Sequence, residues 1–368
     1  MKNLNPLKNL NLLAGIITFL IIILPVNMLF NLGYDLYEKK AKIGFIILGD
    51  IRVAGWNESQ YIGIKNACKE FGVDLMVRDK VSENSGQCTA AIKDLAAKGA
   101  GMIFLASYSY SKEAQNLVEK YPKIAFATNS AEVHAKNMTA YFVRMYQARY
   151  LTGALAGMKT KSNIIGYVAA FPNVEVNRGI NAFTLGVKRT NPDAKVLVMW
   201  TNSWQNEEIE AKHAEQLIKA GADVLTYHQD EDATAKVAEK YGADFIGYNA
   251  ILQTNSEHYL TSIVCRWDLY YSDMIQRYLK GEINSMKNHW LGMERGAVFL
   301  SKYSPSVTPE MILKLDSIKQ ELTNGNLIFA GEIYDNTGVL RCGADETISD
   351  DILLEDINWL VRGVEILE

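Results

Sequence analysis

KIGFIILGDIRVAGWNESQYIGIKNACKEFGVDLMVRD, residues 42–79, decides the fold of this chain. An apolar, β-branched run (KIGFIILG, 42–49) passes through a glycine-bearing loop into a helical stretch from Glu58 to Phe71, closed by Gly72, and a second β-rich run follows (VDLMVRD, 73–79). A glycine just past the last helical residue suits the left-handed position at a helix end. Strand, crossover helix, strand is the unit that builds parallel sheets with helices on their faces.

The unit recurs outward from this stretch. Gly86 to Lys98 reads as a helix closed by Gly99, MIFLAS (102–107) as a strand, Lys112 to Lys120 as a helix and IAFATN (124–129) as a strand. After an apolar-faced helix from Arg149 to Lys161 the plan restarts. Strands NIIGYVAAF (163–171), KVLVMWT (195–201), VLTYH (224–228) and DFIGYN (244–249) alternate with helices over Val176 to Thr190, Glu207 to Ala220 and Ala233 to Tyr241. Residues 259–301 then return to the first half: YLTSIVCRW (259–267) crosses, Asp268 to Lys280 is a helix, and GAVFLS (296–301) crosses back. The expected fold class is therefore α/β, with two Rossmann-like lobes joined by a three-segment hinge. The expected boundaries are 41–143 plus 265–297 for the first lobe and 144–264 plus 298–368 for the second.

The 368 residues are 48% hydrophobic and 22% charged, the balance of a folded globular protein. A net charge of −4 with scattered Lys and Arg provides no basic stripe for a phosphate backbone, so nucleic acid is not an expected partner. The first 40 residues differ in kind. Lys2 and Lys8 precede an uncharged run from Leu12 to Leu24, interrupted only by Gly15 and Thr18, and apolar character continues to Leu32. About 20 such residues can cross a bilayer as a helix. With no small-x-small cleavage site and no lipidation cysteine after the apolar core, the segment reads as an uncleaved signal anchor rather than a cleaved signal peptide. The large part beyond it is expected on the extracytoplasmic side.

Catalysis has no recognisable signature. The five histidines, at 134, 213, 228, 258 and 289, form no HExxH, and GxSxG, the phosphate loop and a GxGxxG after the first strand are absent. Asp230 with Asp232 and Asp350 with Asp351 fall in polar turns or helix starts. Cys68, Cys88, Cys265 and Cys342 lack metal-ligand spacing. No disulfide is expected between Cys68 and Cys88, whose helices should lie on opposite faces of the sheet. The chain reads as a non-enzyme without metal or cofactor.

Binding is better supported. Gly55-Trp56-Asn57 and Asn202-Ser203-Trp204 each set an indole beside an amide after a predicted strand. Ligands of open α/β sheets bind in the crevice at the carboxyl ends of the strands. One Trp from each half suggests a planar ligand clamped between them, each stacked base contributing about 1 to 3 kcal/mol. Asn57, Ser107, Tyr108, Asn129, Asp230 and Asn249 occupy other strand ends and would supply polar specificity. Asn both donates and accepts, which suits a purine edge. Replacing Trp56 or Trp204 by Ala is expected to weaken binding while leaving the fold intact. Trp200, Trp267, Trp290 and Trp359 read as structural, with Trp267 at a lobe crossing.

At these residues the chain resembles the basic membrane protein family, substrate-binding components of ABC transporters that include purine nucleoside receptors. GWNESQYIGIKNACKEFGV, FPNVEVNRGINAFTLGVKRTNPDAKV, TNSWQNEEIEAKHAEQLIKAGADVL and the tail from IYDNTGVLR to INWLVRGVE carry the likeness. The resemblance implies a type I periplasmic-binding-protein fold, a purine nucleobase or nucleoside as ligand and an ABC permease as partner. It matches the two stacking aromatics to Trp56 and Trp204 and the following polar residue to Asn57. The base-reading acid of nucleoside receptors falls at Asn129, and the ribose-binding acid near Asn249 or Ala250, where no carboxylate stands. That departure favours a free base over a nucleoside. A membrane-anchored sensor of the same fold is the alternative.

Overall fold

In the computed structural model, residues 40–129, 135–252, 254–282, 288–325 and 327–368 are described. Lys42–Glu368 forms one compact unit. The expected N-terminal anchor lies outside the described residues, among which no helix is long and apolar enough to cross a membrane.

The first half supplies strands β1 (Lys42–Ile47), β2 (Asp74–Arg78), β3 (Met102–Ala106), β4 (Ala125–Asn129) and β5 (Met138–Val143). Between them run helices α1 (Trp56–Glu70), α2 (Gln87–Ala97) and α3 (Tyr110–Val118). After α4 (Met145–Lys159) come β6 (Ile164–Ala169), α5 (Val174–Thr190), β7 (Lys195–Trp200), α6 (Glu207–Lys219), β8 (Val224–His228), α7 (Ala233–Tyr241), β9 (Asp244–Tyr248) and β10 (Tyr259–Cys265). Helix α8 (Trp267–Leu279), β11 (Asn288–Leu291) and β12 (Val298–Leu300) lead to α9 (Pro309–Thr323). A small hairpin of β13 (Ile333–Tyr334) and β14 (Leu340–Cys342), a short α10 (Asp350–Glu355) and β15 (Val364–Ile366) complete the tail.

Two separate sheets result. The first is parallel throughout, in the order β2-β1-β3-β4-β5-β11. The second runs β15-β7-β6-β8-β9-β10-β12 and is parallel except for the antiparallel edge pair β10 and β12. The chain passes between the sheets three times: after β5, after β10 and between β11 and β12. The architecture is thus a two-lobed α/β fold of the periplasmic-binding type.

Inner strands with helices on both faces must bury both sets of side chains, so they appear as unbroken apolar runs. In β1, Phe45 packs in one cluster with Phe104 and Cys68, while Ile46 packs in another with Ile103 and Cys88. Cys68 and Cys88 accordingly occupy opposite faces, and all four thiols are free and buried.

Close helix contacts explain several glycines. A Cβ on Gly153 of α4 would lie 1.9 Å from the Phe183 carbonyl oxygen of α5, and one on Gly186 would lie 2.0 Å from that of Tyr150. Strand β5, which the sequence pattern does not mark, is fully buried between β4 and β11. Helices α1 and α3 begin at Trp56 and Tyr110, two residues earlier than the periodicity suggests, because aromatic side chains in their first turns are buried.

Candidate functional site

A cavity lies between the carboxyl ends of the two sheets. The first sheet contributes Trp56 at the start of α1, Ser107 and Tyr108 just after β3, and Asn129, the last residue of β4. From the second come Glu175 in the first turn of α5, Trp204 after β7, His228 and Tyr248 at the ends of β8 and β9, and Asp230.

The lobes touch around this space. A Cβ on Gly55, whose φ is +125°, would sit 2.2 Å from the Asp230 carbonyl oxygen. The Tyr108 ring lies 6.5 Å from that of Trp204 across the gap. Only glycine fits at 55 with the lobes this close.

The two tryptophans differ. Trp56 is 7% exposed, donates Nε1–H to the Ala106 carbonyl at 3.3 Å and meets Trp267 edge to face at 5.3 Å. Trp204 is half-buried on a loop, edge-on to Phe171 at 5.4 Å. Trp267 is therefore the buttress behind Trp56 and does not line the cavity.

Of the eight residues singled out by sequence, six line the space: Trp56, Ser107, Tyr108, Asn129, Trp204 and Asp230. Asn57 does not. It is buried, and its Oδ1 accepts the Gly49 N–H at 2.9 Å, bracing the loop after β1. Asn249 also lies elsewhere, beside an outer groove bounded by the start of α1 and by Trp267. Successive strand residues alternate sides, so Tyr248 reaches the cavity while Asn249, at φ +59°, turns away.

Glu175, His228 and Tyr248 escaped sequence reasoning. For the last two the signal was present: like Asn129, each is the final residue of its strand. Glu175 read as ordinary helix-start acidity, and Asn173 does cap α5 by accepting the Val176 N–H at 3.0 Å.

Polar groups at the cavity are buried and partly unmet. The Nδ2 of Asn129 has no well-formed hydrogen bond, nor has the Nδ1 of His228. Nε2 of His228 pairs with the Tyr248 hydroxyl at 2.8 Å and stands 3.7 Å from a Glu175 oxygen. Burial pulls the His228 pKa down to about 4 against the opposing pull of Glu175, so the ring is neutral at pH 7. Glu83 accepts the Ser107 hydroxyl and the Ser109 N–H, both at 2.7 Å. Asp230 is pushed well above the usual carboxylate range by burial, then by the nearby Glu83 and Glu210. A small adjoining crevice shares Glu175 and His228 and is lined by Arg149 and Arg178. Arg149 donates to the Tyr227 carbonyl at 2.9 Å, and Arg178 to that of Leu353 at 2.6 Å.

No group of three or more potential metal ligands exists among the described residues. What the arrangement can do is enclose a small, flat, polar molecule. Fold and site thus define a two-lobed, ligand-capturing binding protein.

Comparison with known proteins narrows the class. Residues 40–337 match the family model of PnrA-like ABC transporter substrate-binding proteins. A purine-binding protein of Brucella abortus is 32% identical over 89% of this chain and 94% of its own length. A putative ABC transporter glucose-binding protein of Haloferax volcanii is 32% identical over 72% of this chain and 65% of its own. Among solved structures, a transcriptional activator of the comK gene from Bacillus halodurans superposes with a TM-score of 0.67 at 22% identity, covering 78% of this chain and 99% of that one. That likeness concerns the fold. The chain belongs to the family of PnrA-like substrate-binding proteins of ABC transporters. Its relatives there are extracytoplasmic binding proteins, not enzymes, and the family implies a small-molecule ligand and an ABC transporter as partner.

Proposed function

We propose that this protein captures a purine, as the free base in preference to the nucleoside, between its lobes outside the membrane and delivers it to an ABC permease. The observation that carries the reading is the cavity itself: indoles from both lobes bound one space, and the buried amide of Asn129 lines it. A planar base fills such a slot by stacking and pairs its edge with amide and carboxyl groups. The relative described as purine-binding supports it.

The proposed contact set is Trp56, Ser107, Tyr108, Asn129, Trp204 and Asp230, joined by Glu175, His228 and Tyr248. Asn57 supports the first loop. Residues 41–143 plus 265–297 and 144–264 plus 298–368 would move as the two lobes, closing on ligand by hinge bending. The N-terminal segment would tether the protein to the membrane.

Titration calorimetry of the full chain with adenine, guanine, hypoxanthine, adenosine and glucose tests this. A purine base should bind more tightly than its nucleoside, and glucose should give no heat. Glucose binding without a purine response would discard the proposal.

A further inference from the structure

The interlobe cavity has acids in its wall but neither lysine nor arginine. Asp230, 7% exposed, occupies that wall beside both tryptophans. The groups that act on it electrostatically are mostly acidic: Glu83 from the segment after β2, Glu210 from α6 and Glu175 from α5, with the Tyr110 hydroxyl of α3 coupled to it and the Gln205 amide, from the loop after β7, hydrogen-bonded to it. His228, two residues earlier, supplies no positive charge because its buried ring is neutral and bonded to Tyr248. Arg149 and Arg178 belong to the adjoining crevice, where backbone carbonyls engage them.

We propose that Asp230 is a specificity-determining residue that meets the ligand as a neutral carboxylic acid, so the site takes an uncharged purine base with an acceptor nitrogen beside a donor N–H and rejects anionic purines such as nucleotides. The inference rests on the purine reading above. A neutral acid offers one O–H donor and one carbonyl acceptor, whereas a carboxylate only accepts. Facing a ring nitrogen, the carboxylate would set two lone pairs against each other. In an open cleft water solvates Asp230 and it ionises. Closure removes that water and brings Glu83 of the opposite lobe towards it, so the carboxylate binds a proton from the buffer as the ligand is enclosed. The upward displacement of its pKa by burial, Glu83, Glu210 and Glu175 agrees with this, the hydrogen bond from Gln205 opposing it.

Calorimetry of the full chain with adenine, in two buffers of different ionisation enthalpy, counts the protons. Wild type should take up about one proton per adenine at pH 7, and its Kd should weaken up to about tenfold per pH unit on the alkaline side. The Asp230→Asn variant keeps a donor and an acceptor, so it should still bind adenine, with no proton uptake and a flat pH profile. AMP should not compete with adenine in the wild type. Adenine binding without proton uptake, AMP binding as tight as adenine, or an unchanged pH slope in Asp230→Asn each overturns the inference. So does a variant that melts like wild type yet binds no adenine. The wild-type proton count needs no variant and stands even if Asp230→Asn misfolds. Failure of every purine base to bind removes the purine reading and this inference together, whereas adenine binding without a proton removes this one alone.

Discussion

Replacing Trp204 by Ala separates ligand clamping from core packing, because the structure gives the two cavity tryptophans unequal duties. Trp204 is half-buried on a loop, and its ring meets Phe171 and His228 at centroid distances of 5.4 and 6.2 Å. Truncation removes one stacking face, about 1 to 3 kcal/mol, so Kd should rise roughly 5- to 150-fold. Its stability cost should be near 1 kcal/mol, as for a partly exposed loop side chain. Trp56 is a different case: 7% exposed, hydrogen-bonded to Ala106 and packed against Trp267 and Phe142. Deleting a buried aromatic of this kind costs about 3 to 5 kcal/mol. Trp56→Ala should therefore threaten the fold, contrary to the equal treatment the sequence suggests, while Trp56→Phe keeps a ring and tests binding alone. Calorimetry for Kd and urea denaturation for stability give the two numbers for each variant. The reasoning fails if Trp204→Ala leaves the affinity within twofold of wild type, or if it destabilises more than Trp56→Ala.

Further expectations concern closure, titration and packing. Gly55→Ala puts a methyl 2.2 Å from the Asp230 carbonyl oxygen, so it should hold the lobes apart; small-angle scattering with ligand should show a larger radius than wild type and binding should weaken. The folded state lowers the His228 pKa from 6.5 to about 4, chiefly by burial. Folding stability present above pH 6.5 is consequently lost as pH falls towards 4, by at most about 3 kcal/mol, and His228→Asn should flatten that part of the pH–stability curve. Glu210 behaves oppositely: burial raises it from 4.5 to about 7, so stability is lost as pH rises from 4.5 to 7. Glu210→Gln should raise the melting temperature above pH 7 and leave it unchanged below pH 4.5. Gly63→Ala would set a Cβ 2.5 Å from that of Trp267, and overpacking between α1 and α8 should cost about 1 to 3 kcal/mol in denaturation.

The order of strands and helices was legible because inner parallel strands bury both faces and so stand out as continuous apolar runs. KIGFII and MIFLA are such runs, and each entered the first sheet. Strand β5, MTAYFV, carries Thr139 and Tyr141 and follows no turn signal, so only its insertion between β4 and β11 marks it as a strand. At the site, strand ends were found to within a residue or two. That precision suffices for Asn129 and misses Tyr248, since the one-residue step to Asn249 reverses the side to which a strand side chain points; His228 was passed over although the predicted strand ended on it, in favour of Asp230 two residues on, and both line the cavity.

By itself the sequence determined a two-lobed α/β protein with an aromatic residue from each half at the strand ends, because periodicity and glycine placement are local properties. The tertiary structure alone decided which of those residues share one space. It turned Asn57 onto the backbone of Gly49 and Asn249 away from the cavity, and it brought Glu175, His228 and Tyr248 in. It also set the surroundings that raise the Asp230 pKa, which no stretch of sequence places together: burial first, then Glu83 from the other lobe and Glu210 and Glu175 from helices of its own lobe.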